Sequence, residues 1–365
     1  MKHTTALRKP FADSISLPAG MIADLIGSSN YHAIPDDALK DEDNVGWVME
    51  LDQPVRAQWI ERIRWIRLID RLAENELLCR KNSIFQGFLV GWQRLVLTGA
   101  IEPGCAYHEL LTKMQSCWFD QTDHPSIQLS LTAWKRYVQA IAHYHTADLV
   151  IHTMAEYEQM LTDLGGSFFQ VLPFLSETHH QATSYFGMLD QFYNHLRDLR
   201  EDAEQGICNL PIELLERFGI SRDEILQQQA MKNPGYHKMM QFWLEEYLPK
   251  LRRKARQLVT TEELHPSWQV LCHWSLYRYQ RIDRVFRNCQ FDYTQFSQVY
   301  WQQVRADLPM MLNQVRHHPD QALPLKFFTQ ALPTQSPSMQ VCGWGKLVFM
   351  QPELGRSRFL HEIAN

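Results

Sequence analysis

The 365-residue chain is short of the residues that break helices: glycine and proline together number 33. That is little for a loop-rich all-β protein, and long stretches dominated by Gln, Glu, Leu, Arg and Ala favour helix instead. The seven cysteines, at 79, 105, 117, 208, 272, 289 and 342, include no C-x-x-C pair. This argues against zinc ribbons and thioredoxin-type redox motifs and fits reduced thiols in a cytoplasmic protein. No stretch reaches the ~18 apolar residues a spanning helix needs. The best candidate, 85–97, is interrupted by Gln93 and Arg94. No signal-peptide core is seen at the N-terminus. Excess positive charge is also absent: the net charge is −5, which argues against a nucleic-acid partner. Basic residues concentrate locally only at 250–256. There is no G-x-G-x-x-G, no Walker A loop and no G-x-S-x-G elbow.

What is present is a run of helical patterns with 45% apolar residues, enough for a large core. Residues 1–45 read as an irregular extension, with Pro10, Pro18, Gly27 and Pro35 spread through them. The acidic cluster at 36–43 reads as a solvated loop. From Gln53 the pattern turns helical, and Trp59, Ile63, Ile66 and Ile69 recur at 3–4 spacing as a core face. Further helices are expected near 82–98, 106–118, 126–143, 147–163, 166–174, 179–204, 221–231, 234–258, 266–288 and 294–316. The expected organisation is an extension (1–45), one helical domain (46–318) and a tail (319–365). Residues 341–349 of the tail suit a hairpin or docking strand. His143, His145 and His152 lack H-E-x-x-H spacing and read as ordinary histidines.

The informative segment is Gln191-Phe192-Tyr193-Asn194-His195-Leu196-Arg197-Asp198-Leu199-Arg200-Glu201-Asp202. Residues four apart share a helix face, so Asn194, Asp198 and Asp202 form one stripe, with Glu201 beside it. Like charges at this spacing repel, and a bound cation turns the repulsion into attraction. Mg²⁺, with its preference for oxygen ligands and retained waters, suits such a stripe when shared with a phosphate. Taken alone, the stripe is as well explained by a solvated helix face.

The longer string resembles the second aspartate-rich region of the squalene/phytoene synthase family, roughly Q-x-x-N-x-x-R-D-x-x-E-D, then G, then L-P. Gln191, Asn194, Arg197, Asp198, Glu201, Asp202, Gly206, Leu210 and Pro211 fall in register, followed by Glu213-Leu214 and Phe218-Gly219-Ile220. Upstream, Leu51 to Arg56 and Arg67 to Glu74 resemble the family's L-P-x-x-x-R … C-R-x-x-D-D-x-x-D helix, placing Asp70 and Glu74 four apart. Tyr157 and Leu164-Gly165-Gly166 are partly similar to Y-C-x-x-V-A-G-x-x-G. Residues 277–283 resemble the late Y-x-x-I-L-D helix. The similarity spans about 50–315.

The resemblance implies a single-domain, all-α isoprenoid-synthase bundle around a central apolar cavity. It implies Mg²⁺ held by Asp70, Glu74, Asn194, Asp198 and Asp202, and a prenyl diphosphate substrate (farnesyl or geranylgeranyl). Asp70, Asp198 and Tyr157 are the implied catalytic residues, with Tyr157 handling a proton. Arg67, Arg71, Gln191, Arg197, Phe168 and Phe192 are implied to bind substrate, with Phe169, Phe174, Tyr185 and Phe186 as further aromatics for a cationic intermediate. An apolar product implies at most peripheral membrane contact. The sequence carries no signal for an oligomeric state.

Several family positions differ. Arg71 replaces the second Asp of the first motif, and Glu74 replaces its last. Arg71 either bonds a diphosphate oxygen or forms a structural ion pair. After Gly206 come Ile207 and Asn209, where the family commonly has G-R-x-Y. Leu161-Thr162-Asp163 stands for V-A-G, and Asp163 is either a further ligand or solvent-facing. The leading expectation is head-to-head condensation of two prenyl diphosphates. The alternatives are a terpene synthase of the same fold acting on one diphosphate, and a non-catalytic lipid-binding or assembly homologue.

Overall fold

The computed structural model describes residues 35–78, 83–120, 124–146, 149–261 and 263–317. The expected tail and most of the N-terminal extension lie outside these residues. The described chain is helical throughout, and no strand occurs among the described residues. None of its helices is long and apolar enough to cross a membrane.

The helices are α1 (Pro35–Val45), α2 (Gln53–Leu78), α3 (Ile84–Thr98), α4 (His108–Trp118), α5 (Pro125–Tyr144), α6 (Met154–Leu161), α7 (Ser167–Val171), α8 (His180–Glu204), α9 (Ile212–Arg217), α10 (Arg222–Leu226), α11 (Pro234–Phe242), α12 (Leu248–Val259), α13 (Pro266–Asn288) and α14 (Tyr293–His317). The face expected on α2 is the buried one: Trp59, Ile63, Ile66 and Ile69 are all in the core. The start expected near 147 falls at Met154, because Thr153 and Glu156 form a reciprocal capping box. The single helix expected over 234–258 is interrupted by a π-turn at Trp243–Tyr247. Pro249 cannot donate to the carbonyl four residues back, and the wider turn precedes it.

The irregular reading of 1–45 fails for residues 35–45. Residues 35–45 are helical, and Asp43, expected in a solvated loop, is completely buried. Its carboxylate accepts from Arg281 and, at 2.6 Å, from Tyr300 Oη, and Arg278 Nε lies 3.7 Å away. A charge removed from water is tolerable only when paired and hydrogen-bonded in this way. Asn44 accepts from Arg197 (3.0 Å) and Arg278 (2.6 Å), while the Trp274 indole donates to the Asp43 carbonyl (2.6 Å). These bonds fasten α1 to α8, α13 and α14.

The central element is α8, packed against α6, α7, α12, α13 and α14. It is buried nearly all round, as a helix inside a bundle must be. The π-turn Thr162–Gly166 after α6 also packs against it at close range. A Cβ on Gly187 would lie 2.1 Å from the Gly165 carbonyl oxygen, and one on Gly165 would lie 2.3 Å from the Gly187 oxygen. Only glycine permits that approach, which fixes Tyr157 on α6 relative to the acidic stripe of α8.

Candidate active site

Asp198 is the best-anchored acid of the α8 stripe. Arg197, itself buried, grips it with Nε and Nη2, each 2.7 Å from a carboxylate oxygen. Lys40 of α1 adds its ammonium at 3.0 Å from Asp198 and 3.1 Å from Glu201. Burial works against the Asp198 charge, but Arg197 and Lys40 outweigh it and hold the carboxyl well below the usual range. Asp202, one turn on, behaves oppositely. Burial and the neighbouring Asp198 charge push it up to about 7, although Asn209 Nδ2 donates to it at 3.0 Å.

The same contrast recurs on α2. Asp70 lies 3.7 Å from Arg67 Nη1 and 3.4 Å from His145 Nε2. Burial disfavours its charge, but His145 and Arg67 prevail and lower it. Glu74, at the exposed side, is raised to about 7 by loss of water around the cluster and by the Asp70 charge. Each motif thus contains one secured carboxylate and one that repels it, a donor set that a divalent cation would relieve. Lys40, which pairs with Asp198 and Glu201, also exerts a weaker attraction on Asp70 and Glu74.

Tyr157 is buried, with its hydroxyl 3.2 Å from His195 Nδ1, and Gln191 Nε2 lies 2.9 Å from the other ring nitrogen. Burial lowers His195 to about 4, against the pull of Asp198, so the imidazole is neutral. With the Gln191 amide donating to Nε2, Nδ1–H donates to Tyr157 and frees the phenol proton for another acceptor. Tyr157, His195, Asp202, Asn209, Met240 and Trp243 line a narrow pocket with about 10 Å³ of water-sized space, roughly one water molecule.

The other expected residues distribute as follows. Asn194 donates to Asp190 (3.1 Å) and accepts from Arg278 (3.4 Å), so it faces a buried network rather than Asp198. Arg197 is spent on Asp198 and Asn44 and is not open to a substrate. Phe192 is buried against Trp243 and Tyr247, and Phe168 is half-buried between Tyr137 and Phe169. Arg71 is half-buried on α2. Asp163 accepts from Gln159 at 2.9 Å. Asp283 of the late helix accepts from Arg252 of α12, which also donates to Tyr193.

Lys40, His145 and His195 are functional candidates that sequence reasoning missed. Only His195 had a signal, since it sits inside the α8 motif three residues before Asp198.

The sequence profile of the squalene/phytoene synthases matches residues 107–305, which takes in Tyr157, Asp198 and Asp202 but not α2. No curated protein matches the chain. Among solved structures, that of a dehydrosqualene synthase in complex with ligand matches with a TM-score of 0.50 at 14% identity, covering 80% of this chain and 99% of that one. At such identity the likeness shows the fold. The profile match covers more than half of the chain and the same helical bundle lies beneath it, so the protein belongs to the squalene/phytoene synthase family.

Proposed function

We propose that the protein ionises a prenyl diphosphate in a divalent-cation-dependent reaction and joins two such molecules head to head. The observation that carries this reading is that each motif sets a secured carboxylate one helical turn from a second that it repels, Asp70 held by Arg67 and His145 beside Glu74, and Asp198 held by Arg197 and Lys40 beside Asp202. A repelling carboxylate pair is costly without a cation, and a diphosphate is an anionic ligand that bridges such cations. Asp198 and Asp202 would hold Mg²⁺, and Asp70 and Glu74 a second divalent ion. When bound, the metal supplies Lewis-acid stabilisation of the charge left on the departing diphosphate.

The chain's own groups divide the remaining work. Arg197 orients Asp198. Arg67, Arg71 and Lys40 add positive charge on the diphosphate side. Tyr157, held by neutral His195 and Gln191, presents a hydroxyl that can hold or pass a proton beside Asp202. Half-buried Phe168 offers an aromatic face to a substrate cation. An apolar product suits a cytoplasmic enzyme working at a membrane surface.

A second reading, a terpene synthase acting on one diphosphate, is favoured by Asn209. It stands in the segment where the family commonly has Arg and Tyr, and it turns toward Asp202. Loss of those groups weakens the hold on a diphosphate through a second ionisation.

The test is incubation with farnesyl and geranylgeranyl diphosphate, with Mg²⁺ or with EDTA, reading diphosphate release and extracted hydrocarbons. Metal-dependent release with doubled carbon number supports the head-to-head synthase, and an unchanged carbon number supports the terpene synthase. Asp198→Asn should slow release by about 10²–10³-fold, the scale of removing one electrostatic stabiliser. Release insensitive to that change would instead indicate a non-catalytic homologue.

A further inference from the structure

The first acidic site contains a donor that the aspartate motifs do not supply. His145 stands at the C-terminal cap of α5. Its Nε2 faces Asp70 Oδ1 at 3.4 Å, while Arg67 sits on the other oxygen, Oδ2. One ligand atom from each of Asp70, Glu74 and His145 falls within 4.8 Å of the other two. Donors bound at about 2.1 Å to one octahedral ion lie roughly 3 Å apart when adjacent and roughly 4.2 Å apart when opposite. Glu74, at the exposed side, can close the remaining gap by rotating its side chain.

Helix periodicity explains why Asp70 and Glu74 share a face. It does not explain why a nitrogen donor from a separate element, some 70 residues on, meets them there. We propose that Asp70, Glu74 and His145 form a mixed oxygen–nitrogen metal site, selective for a first-row divalent ion such as Mn²⁺, Fe²⁺ or Co²⁺ over Mg²⁺. Mg²⁺ is a hard cation that keeps oxygen ligands and water. Imidazole instead suits first-row transition ions, and carboxylates accept the earlier members of that row. Three protein donors leave open positions for water or phosphate oxygens. The Asp198/Asp202 site has oxygen donors and stays suited to Mg²⁺, so the two sites would differ in ion. This inference rests on the reading of α2 as one wall of a diphosphate site, but its test needs no turnover.

Full-length protein stripped with chelator and loaded with Mn²⁺ is examined by pulsed electron paramagnetic resonance for ¹⁴N coupling. Coupling is expected in the wild type and in Asp202→Asn, and should vanish in His145→Gln. Mn²⁺ affinity at this site should fall at least ~10-fold in His145→Gln, while Mg²⁺ affinity shifts by less than about twofold. Circular dichroism checks the fold of each variant, and the wild-type spectrum depends on no variant. No nitrogen coupling in the wild type, or coupling that survives in His145→Gln, overturns the proposal and leaves His145 as an ion-pair partner of Asp70. Nitrogen coupling without diphosphate release would overturn the proposed function and keep this site. Turnover without nitrogen coupling would do the reverse.

Discussion

Lys40 Nζ lies 3.0 Å from Asp198, so α1 brings a cation to the α8 motif. Glu201, at 3.1 Å, shares the same ammonium. A divalent ion bound to Asp198 must displace Lys40 or share the carboxylate with it. Lys40→Met should therefore raise Mn²⁺ or Mg²⁺ affinity at this site, on the order of fivefold for a partly exposed pair worth about 1 kcal/mol. Isothermal titration calorimetry reads this directly. A weaker site in Lys40→Met would mean that the lysine organises the carboxylates rather than competing for them.

Metal binding at the same site should depend on pH through Asp202. Its carboxyl is raised from 3.8 to about 7 by burial and by the Asp198 charge. Below that value the group holds a proton that an ion must expel, so affinity should climb as pH rises toward 7 and level off above it. Stability of the metal-free protein should run the other way. Between about pH 4 and 7 the folded state keeps a proton that the unfolded chain has lost, so the Asp202 contribution favours folding at low pH and fades as pH rises through 7. Thermal melts from pH 5 to 8 should show the metal-induced gain in Tm widening with pH. A gain that is flat across this range would remove Asp202 from the ligand set.

Gly187 and Gly165 are the closest approach of α8 to the turn after α6. Gly187→Ala drives a methyl group into the Gly165 carbonyl, 2.1 Å away. Backbone on both sides leaves no flexible side chain to yield, so the cost should reach or exceed the ~3 kcal/mol upper end of ordinary overpacking. Chemical denaturation should show that loss. Gly206→Ala makes a useful comparison, because nothing lies within 4 Å of its added Cβ and only its positive φ of 81° is strained.

The parts of this architecture that were legible in the sequence are those set by local periodicity. The α2 face of Trp59, Ile63, Ile66 and Ile69 is an example, as is the Asp198/Asp202 stripe. The start of α6 was placed about seven residues early, although the Thr153–Glu156 capping box that sets it stands in the sequence. What escaped reading depends on long-range contact. Nothing near Lys40 announces that it meets acids some 160 residues away, and nothing near His145 points to Asp70. The acids of α1 looked solvated because the arginines that neutralise Asp43 lie on α13. Asn194 was in register with the family motif, yet its amide is taken by Asp190 and Arg278, which periodicity alone does not pair with it.

Asp43 gives the sharpest test that α1 is part of the catalytic domain. It is fully buried and shared by Arg281, Arg278 and Tyr300. Removing one partner of a buried ion pair leaves the other charge without compensation, a loss of about 3–5 kcal/mol. Asp43→Ala should therefore lower Tm sharply and speed amide hydrogen exchange across 35–45. Because α1 carries Lys40, the same variant should also loosen the Lys40–Asp198 contact and raise metal affinity at α8, as Lys40→Met does. Exchange in α1 unchanged by Asp43→Ala would mean that Asn44 and the Trp274–Asp43 backbone bond hold the helix without the carboxylate. Faster exchange with no change in metal affinity would separate the anchoring of α1 from the role of Lys40.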